Sequence, residues 1–504
     1  MNYEVLAFVL YFVVVLLIGL VFFIRGKGSG EKEYFLGGRS MGVWVTALSA
    51  QASDMSAWLL MGLPGSILAF GFGQMWIGIG LMLGTAANWI FVAKRLRRFS
   101  KVANDSITLP QYLSNRFAAS SPVLQIISAV IFFVCFTIYV ASSFVAGTSV
   151  FVTVFPDLSE NTAMIIFVLI IIAYTFLGGF KAVCWTDFFQ GLLMMVALLA
   201  VPIVIVLTQE LDTSALATVY TYKDQVSGEI VECSFGTGFF DANIKDILSG
   251  LAWGLGYFGM PHILVRFMSI EKPSMIKKSA TVAIVWVVLA LSATCLIAYF
   301  GRMLIAEELL TVGAQKNVFI AFTRMLFPSF IAGVLLSAII AASMSTADSQ
   351  LLVASSSFTS DIYRPIFRKE ASDREILWVG RIIVLIVAII AYFIASSKGS
   401  GAQAIMDMVE NAWGGFGSAF GPVVILSLFW RRFTYKGAIA GVAAGAITDV
   451  LWYVFLSGPT GIYELLPGFI VGMIIAVAAS LIDKEPSGDV LAIYDAANDK
   501  GRDD

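Results

Sequence analysis

Asp54 stands in the apolar stretch 43–65, followed by Met55, Trp58, Leu59, Leu60 and Met61. A carboxylate carried to bilayer depth costs roughly 2.5 to 3.5 kcal/mol even on insertion-based scales, so such an acid points to a functional site. No Lys or Arg lies within a turn of it, which leaves a bound cation or an exposed polar path as its compensation. A structural carboxylate, satisfied by helix ends or amides, is the plainer alternative. Gly62, Pro64 and Gly65 predict that the helix is interrupted here. Unwound backbone is tolerated at membrane depth only where it is buried or lines a cavity.

Ala342, Ser345 and Thr346 have i, i+3, i+4 spacing and share one face of a helix. Two hydroxyls with carbonyls freed near Ala52 and Met55 would make an oxygen cage, the ligand set of a hard ion; sodium is the expected one. Taken alone, small hydroxyl residues in a membrane helix equally mark tight packing. The broken partner helix is what favours the ion. Trp253, Tyr257 and Pro261 recur every four residues through a second glycine-rich interruption, 253–262. They would form an apolar wall with one hydroxyl, fit for a small compact solute, or simply core aromatics beside a kink. Trp58 and Tyr139 are candidates of the same kind.

Other chemistries find little support. His262 is the sole histidine and follows a proline, so neither a zinc site nor a triad is available, and a structural role is expected. The four cysteines are dispersed without a CxxC pair, which argues against a disulfide or metal framework. The glycines of 411–422 are followed by no lysine; they predict close helix approach or unwinding, not a nucleotide loop. Gly178 and Gly179 beside Lys181 predict a helix-end turn, and Trp185 with Asp187 an interfacial anchor or inner-gate contact.

These residues need elements that cross a membrane. Of 504 residues, 59% are hydrophobic and 13% charged, against about 25% charged in soluble domains, so the chain reads as an all-α polytopic membrane protein. A net charge of −2 gives no sign of nucleic-acid binding. The apolar run from Leu6 reads as a first helix, not a cleaved signal. Apolar runs predict thirteen spans, near 5–24, 43–68, 74–93, 122–150, 162–180, 189–208, 246–268, 279–300, 328–355, 376–396, 404–430, 436–456 and 461–482.

Lys and Arg concentrate on one set of alternate loops, from Arg25, Lys27, Lys32 and Arg39 through Arg97, Arg116 and Arg266 to Arg431, Lys436, Lys500 and Arg502. The positive-inside rule then puts the N-terminus outside and the C-terminus in the cytoplasm. The loop near 209–245 is expected to pack over the bundle, and the polar residues from Asp483 to fray. Five spans separate the two interrupted ones. That odd spacing predicts inverted repeats at 43–208 and 246–430, with substrate and ion between the broken helices. Helices 5–24, 436–456 and 461–482 flank them in one transport domain, 1–485, followed by a cytoplasmic tail, 486–504.

The stretches 36–39, 49–65, 177–187, 253–267 and 341–346 resemble the sodium:solute symporter family, and within it the bacterial carriers of proline. The resemblance covers about 4–485. It implies a LeuT-like five-plus-five inverted repeat in the bacterial cytoplasmic membrane, not an enzyme, with sodium as coupling ion and no cofactor. The implied partners are L-proline, sodium and membrane lipids, with no obligate protein partner. Carried over by position, Ala52, Met55, Ala342, Ser345 and Thr346 would bind sodium, with Asp54 critical for coupling. Ser53, Ser56, Ala57, Trp58 and Tyr139 would meet the solute, together with Trp253, Tyr257 and Pro261. Arg39 and Asp187 match sensitive positions on the cytoplasmic side. The proline-carrier pattern has glycine at Ala57 and glutamine at Met260. The residues themselves leave open a symporter for another small solute, or a membrane sensor or channel.

Overall fold

A computed structural model describes residues 3–25, 30–223, 228–398 and 402–499. Lys27, Lys500 and Arg502 lie outside them. Ten helices among the described residues are long and apolar enough to cross a bilayer. The expected spans 43–68, 162–180 and 246–268 fall on helices that are shorter or interrupted.

The chain opens with α1 (Tyr3–Arg25), then α2 (Val43–Asp54) and α3 (Gly62–Phe70). The break between these two lies at Met55 and Ser56, whose φ/ψ of −82/78 and −60/−176 are non-helical. That is earlier than Gly62, Pro64 and Gly65 suggest. Those three belong to the opening of α3, where a proline's missing N–H is harmless. A side chain on Gly62 would meet the Trp58 ring at 2.7 Å, so the glycine makes room for the pocket.

Next come α4 (Phe72–Val102), α5 (Leu109–Arg116), α6 (Val123–Val154) and α7 (Glu160–Thr208). At 49 residues a straight α7 would run about 74 Å, more than twice a hydrocarbon core. It is interrupted at Gly179, φ 61 and ψ −172, in the turn expected there. Tyr174 donates to Asp348 at 2.7 Å, while Asp187, beyond the break, shares Arg266 with Ser349. Both limbs therefore reach one level of the same helix, and the chain has turned back.

The second half repeats the interruption. α8 (Ile244–Ala252) runs into a tighter 3-10 turn over Trp253–Phe258, and Met260 is extended before α9 (Pro261–Ser269). Gly80 and Gly84 of α4 oppose Gly250 and Gly254: a Cβ on Gly84 would lie 2.3 Å from the Gly254 carbonyl oxygen. This small-residue contact brings backbone against backbone and fixes where Trp253 and Tyr257 point. Then follow α10 (Ile276–Leu304), α11 (Ser329–Ser356), α12 (Asp373–Lys398), α13 (Ala402–Phe429), α14 (Tyr435–Phe455) and α15 (Leu465–Ile482). α13 stays helical through its glycines, which serve close approach.

The loop after α7 does pack over the bundle, as an antiparallel ribbon of β1 (Tyr220–Lys223) and β2 (Ile230–Cys233). Buried Arg302 at the end of α10 donates to the carbonyls of Thr218 and Cys233 beneath it. The tail does not fray from Asp483. Gly488–Asn498 forms α16, with Val490 and Ala497 buried. Its apolar residues and its contacts to buried Arg116 hold what composition alone marks as free chain.

Candidate functional site

The break after Asp54 redirects backbone groups. Ser56 N–H bonds to the Asp54 carbonyl instead of continuing the α-helical ladder, so the Ala52 carbonyl loses its helical partner. It accepts the Ser345 hydroxyl from α11 at 2.8 Å. Ser345 lies 3.3 Å from the Ala342 carbonyl, a turn back on its own helix. Thr346 Oγ1 is buried and makes no hydrogen bond among the described residues. The Ser345 hydroxyl and the carbonyls of Ala52 and Ala342 thus gather where the broken helix crosses α11. They are neutral oxygens held in a fully buried setting, the donor atom that hard cations take.

Beside this cluster is a pocket lined by Asp54, Met55, Ser56, Trp58, Tyr139, Trp253 and Tyr257, with Leu81, Val409 and Trp413 completing it. Asp54 has no ion-pair partner among the described residues; Tyr257 donates to its Oδ2 at 2.5 Å. Trp58 and Trp253, one from each break, stack with centroids 6.0 Å apart. Ser53, Ala57 and Pro261 are buried next to the pocket but are not among its lining residues. The Ser53 hydroxyl turns back to the Ala50 carbonyl, and Pro261 opens α9. Met55 contributes to the pocket lining, and its N–H completes the last turn of α2.

The second break is braced by residues the sequence did not single out. Trp413 donates to the Trp253 carbonyl at 2.9 Å, and Asn88 to the Tyr257 carbonyl at 3.0 Å. Trp413 sits in the glycine run of 411–422, where its ring was no more conspicuous than any core aromatic. His262 is buried, edge-on to Phe136 and Tyr139, consistent with a packing role.

Asp187 and Arg39 each anchor a buried network. Arg266 Nη2 lies 3.0 Å from Asp187 Oδ2, with side chains 1% and 0% exposed. Ser49 donates to Asp187, and Arg266 Nε to Ser49. Arg39 bonds Asp105 at 2.8 Å, Ser100, and the carbonyls of Met268 and Ser106. The Asp187 network ties α2 to α7, α9 and α11, and the Arg39 network ties the segment before α2 to α9 and the end of α4. Arg266, Arg39, Arg97 and Arg116, grouped by sequence with loop cations, are buried. Partners as distant as 374 residues are invisible to local spacing.

Comparison with known proteins gives this geometry a context. A profile described as "Sodium:solute symporter family" matches residues 34–445. The chain is 41% identical over 501 residues to a sodium/proline symporter of Haemophilus influenzae, spanning 98% of this chain and 97% of that one. It is 43% identical over 484 residues to a sodium/proline symporter of Escherichia coli, spanning 95% and 93%. A Na+-coupled sialic acid symporter, solved substrate-bound and outward-open, shares the fold with TM-score 0.76 at 18% identity, over 97% of this chain and 99% of that chain. A nucleobase-cation-symport-1 family transporter in a closed conformation follows at TM-score 0.54 and 12% identity, over 92% and 98%. By family match and by full-length likeness, the chain belongs to the sodium:solute symporter family: a mostly helical, multi-pass membrane transporter of the LeuT-type sodium-symporter fold, and not an enzyme.

Proposed function

We propose that the chain couples inward movement of sodium to uptake of L-proline by alternating access. The observation that carries the reading is the Ser345 hydroxyl on the Ala52 carbonyl across the broken helix, one turn from an Asp54 that faces an aromatic pocket. The full-length relatives named as sodium/proline symporters supply the solute. Sodium would take the place of the Ser345–Ala52 hydrogen bond, drawing in Ala342, Thr346 and Met55 as further oxygen donors. Asp54, carrying the compensating negative charge nearby, and Ser53, Ser56 and Ala57 around the break, would then be set for the solute. Trp58, Tyr139, Trp253, Tyr257 and Pro261 would enclose its ring.

Because both ligands order the same broken helix, sodium strengthens proline binding and proline must strengthen sodium binding equally. Release inward requires the Arg39 and Asp187 networks to part. Sodium crossing about 100 mV gains roughly 2.3 kcal/mol, and a tenfold gradient adds about 1.4. At one sodium per proline this supports accumulation of roughly 500-fold.

Counting each broken helix and each limb of α7 as one crossing gives thirteen spans and the two five-helix repeats, 43–208 and 246–430. The basic face would then lie in the cytoplasm, with the N-terminus outside. Ala57 opens the short 3-10 turn after the break, and Met260 lies buried before α9. Neither departure from the proline-carrier pattern introduces a charge. Uptake of labelled proline into proteoliposomes, with an imposed inward sodium gradient or without one, tests the proposal. Accumulation above the external level only with sodium, competed by proline and not by pantothenate or sugars, is expected. Equilibration without accumulation would indicate a channel.

A further inference from the structure

Behind the aromatic wall of the pocket, two carboxylates converge with no ion-pair partner for either among the described residues. Asp449 on α14 and Glu464 at the start of α15 are 5% and 2% exposed. Both converge on Gly414 of α13: at the place a Cβ would occupy there, Asp449 Oδ1 is 3.0 Å away and Glu464 Oε1 3.5 Å. Asp449 Oδ1 accepts the Ser418 hydroxyl at 2.9 Å. Glu464 Oε1 is buried and meets no donor among the described residues. α13 also carries Glu410 and Asp407, whose negative charges act in the same region. α6 presents Cys135, its sulfur 3.0 Å from the Cβ position of Gly415, with Asp449 Oδ2 3.9 Å from that point. Lys245 packs its stem on Gly461 and forms an ion pair with neither acid among the described residues.

Two carboxylates that converge on one glycine away from water, with further acids beside them, do not both stay ionised. We propose that Asp449 and Glu464 bind one proton between them, as an acid hydrogen-bonded to a carboxylate. A hydronium ion transfers its proton to one carboxylate oxygen: an O–H bond forms there, one breaks in the hydronium, and water is left. The donor that Glu464 Oε1 lacks is then the O–H of this pair.

The position gives the proton a consequence. Tyr463 stacks on Trp253 with centroids 5.2 Å apart, and its hydroxyl donates to the Glu410 carbonyl at 2.8 Å. The protonated pair clamps residues 463–465 against α13 and so backs the Trp253–Trp413 side of the pocket. Deprotonation adds a second buried charge, drives the segment off α13, and loosens that wall. This inference goes beyond symport, since neither acid belongs to the cage or the pocket lining.

Infrared difference spectroscopy of the full-length protein in lipid tests it without reference to transport. At neutral pH the wild type should show the carbonyl-stretch band of a protonated carboxyl that shifts in heavy water. The band should be lost in both D449N and E464Q, and displaced but retained in S418A, where Asp449 loses its hydroxyl donor. A band unchanged in all three variants would overturn the proposal, as would a wild-type spectrum without any titrating carboxyl. If sodium added at fixed pH abolishes the band, the pair takes the metal ion and the proton assignment is wrong. S418A keeps the test decisive should either acid variant fail to fold.

Discussion

The hydroxyl of Tyr257 and the carboxylate of Asp54 are joined at 2.5 Å, which ties one interrupted helix directly to the other. Each residue sits at the edge of its own break, and both line the pocket. Y257F deletes the donor and leaves a buried carboxylate oxygen without it, a loss of about 1–3 kcal/mol. Proline affinity is expected to fall about tenfold, and D54N to weaken sodium dependence sharply. Binding isotherms on the purified protein read both. Unchanged sodium dependence in D54N would remove Asp54 from the coupling.

The oxygen cluster gives a more selective expectation. S345A removes the hydroxyl that meets the Ala52 carbonyl, and T346A the buried Thr346 oxygen that makes no hydrogen bond among the described residues. Each should raise the sodium concentration for half-maximal uptake by about tenfold, the effect of ~1.4 kcal/mol. At saturating sodium the maximal rate should largely recover. A rate defect that sodium cannot relieve would argue that these hydroxyls serve packing.

How much of this was legible beforehand follows from the range of the interactions involved. Asp54, Ser345, Trp253 and Tyr257 announce themselves through local chemistry: a lone acid, a hydroxyl face, aromatics at helical spacing. The turn at Gly179 was legible because a glycine pair is a local conformational signal. Gly62 and Pro64 look like breakers, yet the helix ends at Met55, beside the Ala52 and Met55 carbonyls that the sequence expects to be freed, and the Ser345 hydroxyl from α11 meets the Ala52 carbonyl there. Trp413 and Asn88 reach the second break from distant helices, and nothing in their own neighbourhoods marks them. The tail helix was missed for the same reason, since Arg116, which holds it, lies far away in the chain.

The buried pair at Asp187 invites a comparison of its two halves. Arg266 also lies near Asp348, which accepts from Tyr174 and Ser349. R266Q therefore strands two carboxylates, while D187N leaves Arg266 an acid nearby. Breaking a buried pair typically costs about 3–5 kcal/mol, so R266Q should lower the thermal midpoint strongly and D187N less. The double variant D187N/R266Q should recover part of the loss in a double-mutant cycle. Equal and additive losses would contradict a shared network.

Asp105, in the loop after α4, sets a pH dependence. Partial burial alone would raise its carboxyl. The hydrogen bond from Lys32 and the charges of Arg39, Lys101 and Lys32 outweigh that and hold it below the ordinary value. A carboxyl lowered in the folded state stabilises above its unfolded value and loses that contribution as pH falls through the folded one. The thermal midpoints of wild type and D105N should therefore differ at neutral pH and converge progressively below about pH 4. A constant gap across that range would mean the ion pair contributes nothing.

Arg116 is fully buried, donating to the carbonyls of Ser427 and Val490 and lying 5.0 Å from the Tyr494 ring centroid. Removing residues 488–504 takes away one acceptor and that ring. Loss of a hydrogen bond to a charged group together with a cation–π contact amounts to about 2 kcal/mol or more. A lowered thermal midpoint is expected, reproduced in part by Y494A. If truncation leaves the midpoint unchanged, α16 is a passenger on the bundle.

Coupling itself is read most directly from proline binding titrated against sodium in the purified protein, wild type beside S345A. The wild-type dissociation constant for proline should fall as sodium rises and then level off, and in S345A the same curve should shift to higher sodium. Proline binding that ignores sodium in the wild type, or superimposable curves for the two proteins, would contradict an ion held between Ala52 and Ser345.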